Sequence, residues 1–205
     1  MARTKAIPNR DELIVEKAKE LFASKGYEKT SIADIARELG IGKGSVYLDF
    51  GSKEDILIRI VQQFAMDIEA RMFELADTKE GSTLEVMRSM FKEQIMLVYD
   101  NVSRDFHTPE ALLHTSVQFK ARFSDFHVRK RELVTRLLKE AAAKGEIDEG
   151  KANQETAVAF LMSISCLYPP YINNFSEAAG RVTREGLDRD SDLVLEIALG
   201  GLKRS

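Results

Sequence analysis

The stretch that decides the fold is TSIADIARELGIGKGSVYLDFGSK, residues 30–53. Four apolar residues in its first half recur at the helical spacing i, i+3, i+4 and i+7: Ile32, Ile35, Ala36 and Leu39. Glycines on both sides of Ile41 predict a tight turn with this side chain directed inward. A second short helix is predicted over about Lys43–Leu48, with Val46 in the core. Two short helices joined by a glycine-containing turn describe a helix-turn-helix.

The second helix of such a motif lies in the major groove, and residues near its N-terminal end contact base edges. Lys43, Gly44 and Ser45 occupy that end and offer short or polar groups. They are therefore predicted to form the recognition face. Helix N-termini also attract phosphate through their unpaired N–H groups. This favours three hydroxyl residues as anchors to the DNA backbone: Thr30, Ser31 and Ser52.

Helical periodicity continues on both sides of this motif. A first helix is predicted to open at Asn9 with Glu12 as a cap-like pair and to close at Lys25-Gly26. Ser52 and Asp55 predict the start of a long helix that ends near Ala76. Further helices are predicted over about 83–100, from Thr108-Pro109, and over about 120–144, 152–168 and 187–202. The sequence thus predicts an all-α protein of about nine helices.

The stretch from Lys17 to Tyr47, the aromatic Phe50 and the helix start SKEDIL (52–57) resemble the DNA-binding domain of the TetR family of bacterial regulators. The resemblance covers about residues 9–58. It implies a helix-turn-helix DNA-binding domain over 1–55 and a helical ligand-sensing and dimerisation domain over 56–205. By position it also implies three phosphate contacts, by Thr30, Tyr47 and Lys53.

One residue departs from the family pattern. The family commonly has an aromatic residue or histidine where this chain has Asp49, and often an aromatic at Leu48. Asp49 would be repelled by DNA phosphate unless it forms an ion pair with a basic residue such as Lys53 or turns away from the DNA. Neither residue is therefore assigned to the DNA site. The basic arm Arg3-Thr4-Lys5 is either a further DNA contact or a solvated tail.

Charge and composition agree with DNA contact at one end of the chain. The net charge is −3, but residues 1–53 contain ten Lys and Arg against eight Asp and Glu. The single cysteine, Cys166, cannot form an internal disulfide, which fits a reducing cytoplasm. The most apolar segment, 156–172, is shorter than the ~20 residues of a membrane span, and no secretory signal follows the basic N-terminus. A cytoplasmic protein without membrane contact is expected.

Aromatic residues in the middle of the chain are core residues by default, but such groups also line ligand pockets between helices. Five residues are predicted as candidate effector contacts: Phe119, Phe123, Phe126, His127 and Tyr168. No cofactor is expected. The histidines at 107, 114 and 127 have no Cys or carboxylate partners at metal-ligand spacing, so no metal site is expected either.

Apolar stripes near the C-terminus predict a four-helix interface between two copies of the chain. The stripe residues are Ala157, Phe160, Leu161, Ile164, Leu167, Leu193, Ile197 and Leu199. A dimer places two recognition helices about 34–36 Å apart, the spacing of a palindrome on double-stranded DNA. The interpretation is a ligand-responsive regulator, most simply a repressor. Two alternatives stay open: an architectural or partner-controlled DNA-binding protein without a small-molecule pocket, and an all-α enzyme that keeps the motif as a structural element.

Overall fold

The computed structural model of the protein describes residues 9–78, 81–105, 124–168 and 182–204. In these ranges it contains two short 3-10 segments, Glu149–Lys151 and Ser165–Leu167, and no strand beyond an isolated bridge between Ile147 and Lys203. The α-helices of the described ranges are α1 (Arg10–Lys25), α2 (Ile32–Glu38), α3 (Lys43–Asp49), α4 (Lys53–Thr78), α5 (Thr83–Asp105), α6 (Ser124–Ala143), α7 (Gln154–Ser163) and α8 (Arg184–Gly200). The prediction of an all-α fold is confirmed.

The chain divides into two compact units. The described residues of the N-terminal unit are 9–64 and 103–105, and those of the C-terminal unit are 65–78, 81–102, 124–168 and 182–204. The helix α4 runs without interruption from one unit into the other. The functional division into residues 1–55 and 56–205 stays a prediction.

The core of the N-terminal unit is formed by one buried face from each of its three short helices. Phe22 of α1, Ile35 of α2 and Val46 of α3 are each at most 1% exposed. The ring of Tyr27 packs edge-on against Phe22, with 5.1 Å between the ring centroids. Helices of seven residues are unstable alone, so this shared core holds α2 and α3 in place.

The helix ends follow the predicted positions, but one predicted cap is wrong. Ser31 caps α2 in a full capping box with Asp34, and the side chain of Ser52 accepts a hydrogen bond from the amide of Asp55. Asn9 precedes α1 as predicted, yet its side chain makes no capping hydrogen bond because its backbone is left-handed, with φ 55°. Gly26 ends α1 with φ 86°, which a residue with a side chain rarely adopts.

The turn between α2 and α3 depends on one of its two glycines. Gly40 has φ 64°, whereas Gly42 has φ −71° and its conformation is open to any residue. Ile41 is half-buried, and its amide donates to the carbonyl oxygen of Ala36 at 3.0 Å. The tight turn is as predicted, but the second glycine is not required for it.

The C-terminal unit is built around buried faces of α5, α6 and α7. Phe91 of α5 is fully buried and packs edge-on against Phe160 of α7 at 5.1 Å. The prediction of one helix over 152–168 is wrong in detail, because the regular helix ends at Ser163 and a 3-10 turn follows. The predicted helix from Thr108-Pro109 lies outside the described residues.

Glu146, in the loop after α6, holds the start of α5. Its carboxylate accepts hydrogen bonds from the amides of Thr83 and Leu84 at 2.8 and 3.0 Å and from the hydroxyl of Ser82 at 2.8 Å. Partial burial raises the pKa of this carboxyl, but the amide and hydroxyl bonds outweigh it and leave the pKa below its ordinary value. A residue some sixty positions away thus satisfies the free N–H groups of α5.

Candidate nucleic-acid interface

The outer face of α3 is open to solvent along its whole length. Lys43, Gly44, Tyr47 and Leu48 are exposed and Ser45 is half-buried, while Val46 anchors the helix from below. The sequence-based assignment of Lys43, Gly44 and Ser45 to one accessible end of α3 agrees with this geometry. Their contact with DNA stays a prediction.

Gly44 is a glycine that the fold itself does not need. Its φ lies outside the left-handed region, and a Cβ atom added there would meet no atom within 4 Å. Neither backbone strain nor packing therefore explains the missing side chain. A glycine in such a place fits a surface that something else approaches closely.

A lysine and a tyrosine lie side by side on this face. The Nζ atom of Lys43 is 5.6 Å from the ring centroid of Tyr47, whose side chain is 47% exposed. Residues four apart on a helix are neighbours, so the pair presents an ammonium and a phenol together. Both groups can donate hydrogen bonds to phosphate or to base acceptors.

Asp49, the departure from the family pattern, is neutralised, and its partner is Arg10. The guanidinium donates two hydrogen bonds to the carboxylate, from Nε at 2.6 Å and from Nη2 at 2.9 Å. These bonds and the charge of Arg10 lower the pKa of Asp49, so the carboxylate stays ionised and paired. Pairing with a basic residue is as expected, but the partner is Arg10 and not Lys53. The two partners lie 39 residues apart, and the local sequence around either one does not indicate the contact.

Lys53 is half-buried at the start of α4. Its Nζ atom donates to the carbonyl oxygen of Tyr27 at 2.8 Å and lies 4.1 Å from the centroid of the Tyr27 ring. These contacts join the start of α4 to the loop after α1. The phosphate contact by Lys53 stays a prediction, and it would use the remaining N–H groups of an already positioned ammonium.

The three hydroxyl residues predicted as phosphate anchors use their hydroxyls inside the protein. Thr30 is 2% exposed and donates to the carbonyl oxygen of Gly26 at 2.8 Å, so it is a core residue here rather than an exposed contact. Ser31 donates to the Asp34 carboxylate at 2.6 Å, and Ser52 donates to Asp55 at 3.0 Å. The spacing predicts both helix starts, but capping occupies the side chains of Ser31 and Ser52.

Two of the predicted effector contacts, Phe119 and Phe123, lie outside the described residues. Phe126 is half-buried, and its ring centroid lies 5.6 Å from that of His127, which is exposed. The structure does not bring these two together with Tyr168 through any contact it describes. Their role as effector contacts stays a prediction.

Tyr168 instead lies beside two residues that the sequence reading missed. Its hydroxyl donates to Oε1 of the buried Gln94 at 2.8 Å, and the Nζ atom of Lys130 lies 4.7 Å from its ring centroid. A signal for Lys130 was present in the sequence. It stands one turn before Leu133 and Val134, on the side of α6 that is buried along the helix.

The helices α7 and α8 expose apolar side chains, but only some of the predicted ones. Most of the predicted stripe is buried inside the protomer, namely Ala157, Phe160, Ile164, Leu167 and Leu199. Of the predicted residues, Leu193 and Ile197 are exposed, by 58% and 67%. Val158 and Met162, four residues apart on α7, are exposed by 38% and 70%. These four residues are called the α7–α8 face below.

Comparison with known proteins agrees with the helix-turn-helix. Residues 14–60 match the family model of the bacterial regulatory proteins of the tetR family. The HTH-type transcriptional repressor AcnR of Corynebacterium efficiens is 27% identical over 93% of this chain and 92% of its own length. The uncharacterised HTH-type transcriptional regulator YuxN of Bacillus subtilis is 34% identical over 45% of this chain, a match that spans only 30% of that relative.

Solved structures share the fold over nearly the whole chain. A transcriptional regulator of the TetR/AcrR family from Thermobifida fusca superposes with a TM-score of 0.68 at 25% identity, covering 96% of this chain and all of that chain. SmeT, the repressor of the Stenotrophomonas maltophilia multidrug efflux pump SmeDEF, superposes with a TM-score of 0.65 at 19% identity over 98% of this chain and 93% of its own. At that identity the second likeness concerns the fold alone.

An all-α fold with an exposed, polar second helix in a helix-turn-helix defines a DNA-binding regulator of transcription. Residues 14–60 match the DNA-binding region of the TetR family of bacterial regulatory proteins, and the whole chain resembles TetR/AcrR regulators in its fold. In the described parts of the chain, no helix combines the length and apolar character that crossing a membrane requires.

Proposed function

We propose that the protein is a homodimeric, ligand-responsive repressor that binds a palindromic operator with α3 in the major groove. The observation that carries this proposal is the solvent-exposed face of α3, where Lys43, Gly44 and Tyr47 lie over the buried anchor Val46. A helix held from one side with polar groups on the other is what insertion into the groove requires. The relatives support repression, since AcnR is itself described as a repressor.

Base reading is assigned to the N-terminal end of α3. Lys43 and Ser45 can donate hydrogen bonds to base acceptors in the major groove, where each base pair has a distinct pattern. Gly44 lets the helix backbone come close to the base edges, which explains a glycine that the fold does not need. These three residues carry the sequence preference in this proposal.

Phosphate contacts are assigned to Tyr47 and Lys53, on either side of the paired Asp49. The Tyr47 hydroxyl is exposed, and Lys53 is fixed in position by the carbonyl of Tyr27. Arg10 keeps the Asp49 carboxylate engaged and so reduces its repulsion of nearby phosphates. Such contacts set the register on the duplex and make binding depend on salt.

Dimerisation is assigned to the α7–α8 face. Val158, Met162, Leu193 and Ile197 are large apolar side chains left in solvent by the protomer. Two adjacent helices exposing such residues can pair with the same helices of a second copy around a two-fold axis. The resulting dimer presents two recognition helices to two half-sites.

Ligand response is assigned to the C-terminal unit and is transmitted by α4. This helix begins at Lys53, next to the predicted phosphate contact, and continues to Thr78 in the other unit. A ligand that binds better to the conformation unable to hold the operator weakens DNA binding, and DNA weakens ligand binding equally. No change of fold is needed for this coupling.

The test is selection of binding sequences from a random pool of duplex DNA by the purified protein at two salt concentrations. We expect enrichment of a palindrome and an affinity that falls steeply as salt rises. Enrichment of a non-symmetric sequence would overturn the dimeric reading mode, and no enrichment would overturn sequence-specific binding. The enriched duplex then serves in gel shifts with candidate ligands, and ligands that bind the free protein without changing operator affinity would overturn the switch.

A further inference from the structure

Lys130 of α6 carries its ammonium group into an aromatic environment. The Nζ atom lies 5.3 Å from the ring centroid of Phe91 and 4.7 Å from that of Tyr168. Phe91 is fully buried and packs on Phe160, so the surroundings on this side are apolar. The ring faces attract a cation but do not accept the strong, directed hydrogen bonds that a lysine makes.

Within the part of the chain that the structure describes, no oxygen acceptor lies within hydrogen-bond or ion-pair distance of the Lys130 Nζ atom. Burial alone lowers the pKa of this lysine to about 7. Lys53 provides a comparison within the same chain. Its ammonium group lies over the Tyr27 ring and also donates a hydrogen bond to the Tyr27 carbonyl oxygen. Lys130 has the ring contacts without the acceptor.

A polar side chain of a second element, α5, contacts the same tyrosine. Gln94, on α5 one turn after Phe91, is 4% exposed, and its Oε1 atom accepts from the Tyr168 hydroxyl at 2.8 Å. The amide nitrogen of Gln94 donates to no acceptor among the described residues. Tyr168 therefore links the two groups, with its ring against Lys130 and its hydroxyl on Gln94. The ammonium and the amide N–H group thus lie on the same tyrosine side chain, one at its ring and the other at its hydroxyl.

We infer that Lys130 and Gln94 form the polar end of the effector site and that the effector is an apolar molecule with a single carboxylate. This inference rests on the proposed ligand response. The ammonium and the amide would donate to the carboxylate oxygens, and the ring of the half-buried Tyr168 would contact the adjoining apolar part. The carboxylate would then supply the missing acceptor.

A single negative charge fits this site better than two. Protonated Lys130 brings one positive charge, and the neighbouring Arg129 is neutralised by two hydrogen bonds to Glu69. The other neighbour, Arg131, lines a different cavity, together with two glutamates, Glu132 and Glu140. Burying a charge among apolar groups is favourable only when it is paired, so a phosphate dianion would keep an unpaired charge. The apolar rings favour a hydrocarbon body over a sugar or a nucleotide.

The test measures binding to the full-length protein by titration calorimetry, using decanoate and phenylacetate with their neutral amides, decanamide and phenylacetamide. We expect at least one carboxylate to bind at least tenfold more tightly than its amide. The preference should disappear in Lys130→Met and persist in Lys130→Arg. Lys139→Met is the matched control, because it removes an exposed lysine from the same helix and should change nothing.

Several results would overturn the inference: no carboxylate binding at millimolar concentration, equal binding of acid and amide, or an unchanged preference in Lys130→Met. Circular dichroism of each variant shows whether it has folded, and Lys130→Arg tests the charge if Lys130→Met has not. Because this binding is measured without DNA, its failure is distinct from failure of the operator selection. Carboxylate binding that leaves operator affinity unchanged would retain the site and reject the switch.

Discussion

Two lysines of this protein lie beside aromatic rings, in opposite surroundings. Lys43 is exposed on α3, 5.6 Å from the ring of a half-exposed Tyr47. Lys130 is half-buried, 4.7 Å and 5.3 Å from the rings of Tyr168 and Phe91. Water screens the first ammonium, so it suits contacts with a large polyanion that arrives from solvent. The second is partly desolvated, and burial lowers its pKa, so it suits one small anion that comes with its own apolar cover.

The comparison teaches that burial, and not residue type, separates the two candidate sites. The DNA face is built from exposed groups whose positions depend on short-range capping and on three buried anchors. The effector site is built from groups that meet only through tertiary packing, from α5, α6 and the residue after the second 3-10 segment. Changes at the two sites should therefore differ in what they alter and by how much.

The largest effect is expected from breaking the α7–α8 face. Replacing Leu193 and Ile197 together by Asp places two charges where the proposal buries apolar side chains. The protein should become monomeric by analytical ultracentrifugation, and operator affinity should fall by at least about 100-fold because the two half-sites are no longer linked. Met66→Asp, at an equally exposed apolar residue of α4, should remain dimeric. A double variant that stays dimeric would remove this face as the interface.

A smaller loss of operator affinity is expected when Tyr47, the exposed aromatic residue of α3, is changed. Tyr47→Phe removes one hydroxyl and should weaken operator binding by about 1 kcal/mol, or roughly fivefold, in gel shifts. Because a phosphate contact does not read sequence, the loss should be the same for operator and for mutated operators. Tyr99→Phe serves as the control, because it removes a hydroxyl that donates to the Val182 carbonyl within the C-terminal unit. Unchanged affinity in Tyr47→Phe would exclude the phosphate contact.

Breaking the ion pair between Arg10 and Asp49 should reduce operator affinity by about the same factor or less, and a second substitution should restore it. Arg10→Ala releases a carboxylate beside the proposed phosphate contacts, so operator affinity should drop by about threefold at low salt. Adding Asp49→Asn to that variant should restore affinity, because it removes the released charge. The drop should shrink as salt rises. A double variant no better than Arg10→Ala alone would mean that Asp49 does not face DNA.

The smallest effect concerns stability and leaves both sites intact. Glu146 has a lowered pKa, so its contribution to folding is present above about pH 4.3 and is lost as the pH falls through the folded-state value. Glu146→Gln should reduce the free energy of unfolding at pH 7 by about 1 kcal/mol. Urea unfolding at pH 7 and pH 3.5 measures the free energy of unfolding of wild type and variant. The difference between these two free energies should be smaller at pH 3.5. Glu149→Gln, exposed nearby, is the control.

Local signals in the sequence predicted much of the N-terminal unit. The periodic apolar residues of α2, the glycine at position 40 and the capping pair at Ser52 each act within a few residues, and their structures agree with the prediction. The errors there concern side chains with more than one role. Thr30 carries a hydroxyl in a predicted anchoring position, but burial directs it to the Gly26 carbonyl.

The contacts that the sequence did not predict join residues far apart in the chain. Arg10 reaches Asp49 across 39 residues, and Tyr168 reaches Gln94 across 74, distances over which periodicity carries no information. The face of α7 that was predicted to form the interface is buried inside the protomer, for a related reason. Both sides of this helix are apolar, so the sequence alone does not show that Phe160 points inward and Met162 outward.

The central claim, that the N-terminal end of α3 reads bases in two symmetric half-sites, is tested most directly by a change of preference. Random duplex DNA would be selected in parallel with the wild-type protein and with Lys43→Gln, and the two enriched sequences compared. We predict a palindrome in both selections, with the preferred base altered at one position of each half-site, related by the two-fold axis. Identical enriched sequences from the two proteins would contradict the claim.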